Sequence, residues 1–177
     1  FLLLLLTKHE RLGLLRRYSE LLKLDLSGDH LKFFSNILQG FPEQVYYTVH
    51  LIKDLGVTEA KRNTTSIVDF GFEKVISLVS QYEKDEEHFN FLYFLCKFEF
   101  ISYELIFEIV EEENETYRNL LTEFIRSAIC EHLGANKEYI RVNDTIKNYV
   151  LRTRWDLPNK YKIKLKKHLD IFFKESK

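Results

Sequence analysis

Apolar positions recur along this chain at helical spacing, in segments short enough to be separate helices. Leu14, Leu15, Tyr18, Leu21 and Leu22 share one face. Thr7-Lys8-His9-Glu10 before them has the S/T-x-x-E form of a capping box, in which a hydroxyl and a carboxylate each satisfy a backbone N–H. A second helix is predicted from Ser27, with Asp29 in its first turn and Leu31, Phe34, Ile37 and Leu38 on one side. Gly40, free to turn left-handed, stops it. Pro42 opens a third helix at the position where a missing N–H costs nothing, with Val45, Val49 and Ile52 inward, and Gly56 ends it. Residues 57–66 are polar and read as a connector, and Ile67 to Tyr82 form a fourth helix despite Gly71.

After the acidic run Glu83 to Glu87 the character changes to an aromatic block, Phe89 to Leu95, which places a domain boundary at the run. Ser102 caps a helix through Leu105, Ile106, Ile109 and Val110, and a further helix covers Tyr117 to Ile125. The period then changes. Ser127 to Leu133 and Glu138 to Val142 read as two short strands around a turn at Gly134. Asp144 caps the next helix, through Ile146, Tyr149, Val150 and Leu151. Pro158 breaks the chain, and Tyr161 to Phe173 form a basic amphipathic helix that begins a following arm. Three helices, a hairpin and a further helix make a winged-helix pattern. The fold expected is mainly α: a four-helix bundle over 1–84, a winged-helix domain with a small β-hairpin over 85–156, and the start of a helical arm over 157–177.

Composition narrows the function classes. Of the 177 residues 45% are hydrophobic and 15% aromatic, enough for packed cores and against disorder. Lys+Arg 26 against Asp+Glu 27 gives a formal net charge of −1, so no global field favours nucleic acid or an anionic membrane. The helix that would enter a DNA groove carries Glu115, Arg118 and Glu123, poor company for phosphates. The lysines Lys160, Lys162, Lys164, Lys166 and Lys167 read as a solvated helix face. Cys96 and Cys130 are too few for a disulfide framework or a thiolate zinc site and fit a reducing cytoplasm, and His9, His30, His50, His88 and His168 show no paired metal spacing. Phe1 to Leu6 is too short to span a bilayer and reads as the end of a buried strand. A chain that starts at Phe and contains no Met looks like a piece of something longer, which allows part of a site to lie outside it.

Two short signals carry the candidate chemistry: Gly40-Phe41-Pro42 and Val142-Asn143-Asp144, each where a helix begins. A helix start offers unpaired N–H groups and a partial positive charge, which suits an anionic or polar ligand. The chain has no G-x-x-x-x-G-K-[ST] loop to cradle phosphates, so it is not expected to hydrolyse ATP alone. Arg126 and His132 match an R-x(4-6)-H pattern, which HEPN ribonucleases place on one helix; the strand-like residues after Gly134 put His132 on a hairpin instead.

A four-helix segment with a G-x-P turn, then a winged helix ending in Val142-Asn143-Asp144, resembles the regulatory half of STAND-class (NB-ARC-like) nucleotide switches over roughly residues 7 to 155. Phe91-Leu92-Tyr93-Phe94 looks like that family's first winged-helix helix, and Arg126-Ser127-Ala128-Ile129 like the segment entering its hairpin. The resemblance implies that Gly40, Phe41 and Pro42 belong to the site for ADP or ATP with Pro42 against the adenine, and that Asn143 stands in the histidine position of the family's M-H-D motif near the terminal phosphate, with Asp144 capping the next helix. It implies an upstream P-loop core that holds the phosphates and magnesium, an effector domain, and oligomerisation on activation. Asn143 departs from the family: a neutral amide replaces an imidazole able to carry charge, and charge-assisted hydrogen bonds are roughly twice as strong. A helical protein-interaction module with no nucleotide is the alternative reading.

Overall fold

The computed structural model describes residues 5–110, 114–153 and 156–175. It is mainly helical with one small antiparallel sheet. The chain divides into two compact units, Phe1–Leu78 and Val79–Lys177. The division falls within a helix rather than at the acidic run where the composition changes. Among the described residues no helix is long and apolar enough to cross a membrane. The strand expected at Phe1 to Leu6 lies largely outside the described residues.

The first unit is built from α1 (Lys8–Leu21), α2 (Gly28–Ile37), α3 (Pro42–Arg62) and the greater part of α4 (Thr64–Glu83). Local rules account for the starts of the first three. Thr7 and Glu10 form the full capping box, Thr7 Oγ1 accepting from Glu10 N at 3.3 Å and Glu10 Oε2 accepting from Thr7 N at 2.8 Å. The bond from the Thr7 backbone first, and one from its hydroxyl second, lower the pKa of the Glu10 carboxyl. Ser27 caps α2 by accepting from His30 N, and Pro42 stands at the first position of α3. Leu15, Phe34, Val45, Val49 and Ile67 make a core with no exposure to solvent.

The connector expected at residues 57–66 is helical instead. Gly56 takes φ +80 and breaks the helix geometry, but the chain resumes helix at once, so α3 is two helices joined at a kink and α4 begins at Thr64. Ala60 explains the difference: it is fully buried in the first unit's core, and burial outweighs the polar composition around it.

The second unit contains α5 (Glu86–Leu95), β1 (Ile101–Ser102), α6 (Tyr103–Ile109), α7 (Asn114–Arg126), β2 (Cys130–Leu133), β3 (Tyr139–Val142), α8 (Asp144–Thr153) and α9 (Asn159–Glu175). The sheet order is β1-β3-β2, all antiparallel, with Ile101 opposite Ile140 and Cys130 opposite Val142. Helix, strand, two helices and a hairpin in this order form a winged-helix arrangement. Asp85 starts α5 by accepting from Glu87 N and His88 N, and Ser102 caps α6 through Leu105 N as its sequence position implies.

Aromatic rings fill this core. Phe91 lies 6.2 Å from both Phe94 and Phe124 in stacked orientation and tilts against Tyr117 at 4.6 Å. Tyr161 of α9 stacks on Phe94 at 4.8 Å and is buried, so the basic helix is packed within the second unit. Burial raises the Cys96 thiol to about 12 and the Cys130 thiol well above its ordinary value, which leaves both as protonated, poorly nucleophilic core residues.

Candidate functional site

The two helix starts differ in chemistry. At the first, α2 ends at Ile37, Leu38 is extended, and Gly40 turns with φ +106. A side chain at Gly40 would be strained by conformation and crowded, because a Cβ would lie 3.1 Å from the Leu6 carbonyl. The Gly40 carbonyl accepts from Leu6 N at 2.7 Å. Phe41 is the N-cap of α3 but makes no side-chain cap bond, and its carbonyl accepts from Gln44 N and Val45 N. Gly40, Phe41 and Pro42 are all buried.

Gln44 holds this turn in place. Its side chain is fully buried; Oε1 accepts from Gln39 N at 2.7 Å and Nε2 donates to the Ile67 carbonyl at 2.7 Å and to Gln39 Oε1 at 3.0 Å. The turn is therefore latched to α4 from within the first unit. Gly71 has its reason here: a Cβ on it would stand 1.5 Å from Gln39 Oε1 and 2.4 Å from Gln44 Nε2. Sequence reading marked Gly71 as a tolerated weakness in a helix and missed that two amides occupy the space its side chain would take.

Glu43 follows Pro42, 4.0 Å from Lys74, with its Oε2 buried and without a hydrogen-bond partner. A carboxylate at this helix start opposes a phosphate and favours a hydrogen-bond donor. Of the two ligand kinds that a helix start admits, anionic or polar, the α3 start therefore favours the polar one.

At the second helix start the roles of two neighbours are exchanged. Asn143, not Asp144, is the capping residue of α8: its Oδ1 accepts from Thr145 N at 3.0 Å, and its carbonyl accepts from Lys147 N at 2.8 Å. The N-cap side chain accepts from an N–H two or three residues on, and Asp144 is already the first helical residue. Asp144 instead receives Arg141 Nη2 at 2.9 and 2.8 Å on its two carboxylate oxygens. Asn143 N donates to the Ile129 carbonyl at 2.8 Å, which ties the cap to the start of the hairpin. With its oxygen committed to the cap, the Asn143 amide offers a ligand N–H donors.

Pro42 belongs to the first unit and Asn143 to the second. Arg126 ends α7 while His132 stands on β2 opposite Ile140, with Tyr103 OH 3.3 Å from its Nδ1. The single-helix geometry of a HEPN pair is absent. On α7, Arg118 lies over the Phe107 ring at 4.0 Å.

No protein-family model and no curated protein matches this sequence. Among solved structures, a Walker-type ATPase of Pyrococcus abyssi is similar at 14% identity and a TM-score of 0.48, over 84% of this chain and 42% of that one. The chain thus spans less than half the length of that protein.

Proposed function

We propose that this chain is the helical-bundle and winged-helix portion of a STAND-type nucleotide switch in signalling or defence. It would close over ADP or ATP held by a P-loop core outside it. What supports the reading is the chemistry of the two helix starts, each taken within its own unit. Gly40-Phe41-Pro42 gives an apolar turn next to the Glu43 acceptor, suited to the base, while Asn143 gives a donor fixed by its own cap, suited to a phosphate oxygen.

In this reading the diphosphate form holds the winged helix closed on the core, and exchange for triphosphate releases it for oligomerisation. Moving such an equilibrium from 1:99 to 99:1 takes about 5.5 kcal/mol of differential binding. One amide hydrogen bond contributes about 0.5 to 1.5 kcal/mol. Packing of the core on this chain must then supply most of the bias, and Asn143 serves as the discriminating contact.

The test uses the protein that includes the P-loop core. Nucleotide co-purifying with it is released by denaturation and measured by chromatography. Pro42→Ala and Asn143→Ala each lower ADP retention in the expected outcome. Unchanged occupancy in both variants removes these residues from the site, and absence of bound nucleotide in the longer protein favours the interaction-module reading.

A further inference from the structure

Two exposed patches of the second unit complement each other. The first is the outer face of the sheet. Ile101, Cys130, Ile140 and Val142 turn the inner face into the core. On the outer side Phe100 and Tyr139 meet edge to face at 5.4 Å and stay 54% and 37% exposed. Beside them Arg141 draws in Asp144 at 2.8 Å, Glu99 at 3.6 Å and Glu131 at 3.8 Å. Lys147, 3.4 Å from Glu99, is the second cation of the cluster. Three carboxylates, each with a side chain more than half exposed, against two cations leave the patch negative.

The second patch is the outward side of α9. Tyr161 is buried on the inner side, Lys160 pairs with Glu87, and the His168 ring lies 2.8 Å from Glu108, which holds the helix against α5 and α6. Ile163, Lys166, Lys167 and Asp170 follow the i, i+3, i+4, i+7 spacing of one helix face, turned away from Tyr161. Ile163 is 68% exposed. The ion pairs of α9 among the described residues use Lys160, Lys162 and His168, so Lys166 and Lys167 keep their charge, offset only by Asp170, and this patch is positive. Both patches are exposed in the same chain, so neither covers the other.

We infer that the sheet face of one copy docks the α9 face of a second copy. Ile163 seats against Phe100 and Tyr139, and Lys166 and Lys167, one helical turn on, meet Glu99 and Glu131. An apolar centre within a charged rim is the usual anatomy of a specific interface. The two faces differ, so the contact is head-to-tail and each added copy leaves one patch of each kind open until a ring closes. The rim charges make the association salt-sensitive. Neither a nucleotide nor a P-loop core enters it, so it stands or falls apart from the nucleotide reading.

Sedimentation velocity of the full chain over a concentration series, at low salt and at about 0.5 M sodium chloride, tests this. The mass is expected to rise with concentration at low salt and to return toward the monomer at high salt. Lys166→Glu with Lys167→Glu removes the helix side, and Glu99→Lys with Phe100→Ser removes the sheet side; each set weakens association by about tenfold or more. Mixed in equal amounts, the two variants pair into a dimer that grows no further, because each retains one patch. Thermal melts check that both fold, and Ile163→Ser, which changes no charge, gives the same loss where a charge variant does not fold. A monomer at every concentration, an association that neither variant weakens, or folded variants that fail to pair on mixing overturns the inference. A monomeric chain that binds a lysine-rich peptide through Phe100 assigns the sheet face to a basic partner and overturns it as well.

Discussion

The two units are stabilised by different means. The first buries polar side chains among its aliphatic core: Ser19, Ser35, Gln44 and Thr48 are all buried, and Gln44 bonds both to Gln39 in the turn after α2 and to α4. The second relies on stacked rings, with Phe91, Phe94, Phe124 and Tyr161 in contact around the hairpin helices. A buried amide fixes a turn through direction, since its bonds are lost by a small displacement. An aromatic cluster fixes a core through volume and tolerates small displacements better. The Gly40-Phe41-Pro42 turn therefore depends on a few hydrogen bonds, whereas the Asn143 cap sits on a broadly packed scaffold.

The largest effect should come from the ring cluster. Phe91→Ala is expected to cost about 3 to 5 kcal/mol, because it empties a site in contact with three other rings. Urea unfolding with amide exchange read separately at α5 and α3 should show the loss in the second unit; equal loss at α3 would break the contrast between the units.

Gly71→Ala comes next. Alanine in a helix interior normally gains up to about 1 kcal/mol over glycine, yet here it must displace Gln39 and strain the Gln44 bonds. A net loss of about 1 to 2 kcal/mol is expected, scaled by the buried hydrogen bonds it disturbs. A thermal-stability gain in this variant would show that the amide latch is soft.

Asn143→Ala should destabilise the second unit by about 1 kcal/mol through loss of the α8 cap, while Asn143→Ser, also a good cap, should be close to neutral. Thermal melts of both variants check this. They also separate capping from ligand contact, because serine retains the acceptor and removes the amide donors.

The smallest effect is a pH dependence. Bonds from Lys160 first and Tyr117 second hold the Glu87 carboxyl below its ordinary 4.5. A carboxylate with a depressed folded-state pKa stabilises the fold fully above its unfolded value, and this contribution fades as pH falls below about 4.5 toward the folded value. The pair is half exposed, so solvent screening keeps the contribution small. Glu87→Gln should flatten the acid limb of a stability-against-pH curve; an unchanged limb removes this pair from the balance.

The helix starts were legible because capping is local. Thr7 with Glu10, Ser27, Pro42 and Ser102 each act within three residues, and each begins a helix where the sequence placed one. The hairpin at Gly134 was legible for a similar reason, since strand-forming residues flank a glycine that takes φ +88. The shift of the cap from Asp144 to Asn143 was not legible. Both residues cap well, and the choice follows from where β3 ends and from the Asn143 bond to Ile129, which is fourteen positions away.

The sequence by itself determined that this protein is mainly helical, with a small hairpin and helix starts at its two candidate motifs. Spacing, caps and turn residues act over a few positions and need no distant partner. Only the tertiary structure decided that residues 57–66 are helical, that Gly71 makes room for two amides, that Glu43 gives the α3 start an acceptor, and that Ser35 keeps a buried, unpaired hydroxyl. Each of these depends on groups from separate helices meeting in space, and no local pattern encodes such a meeting.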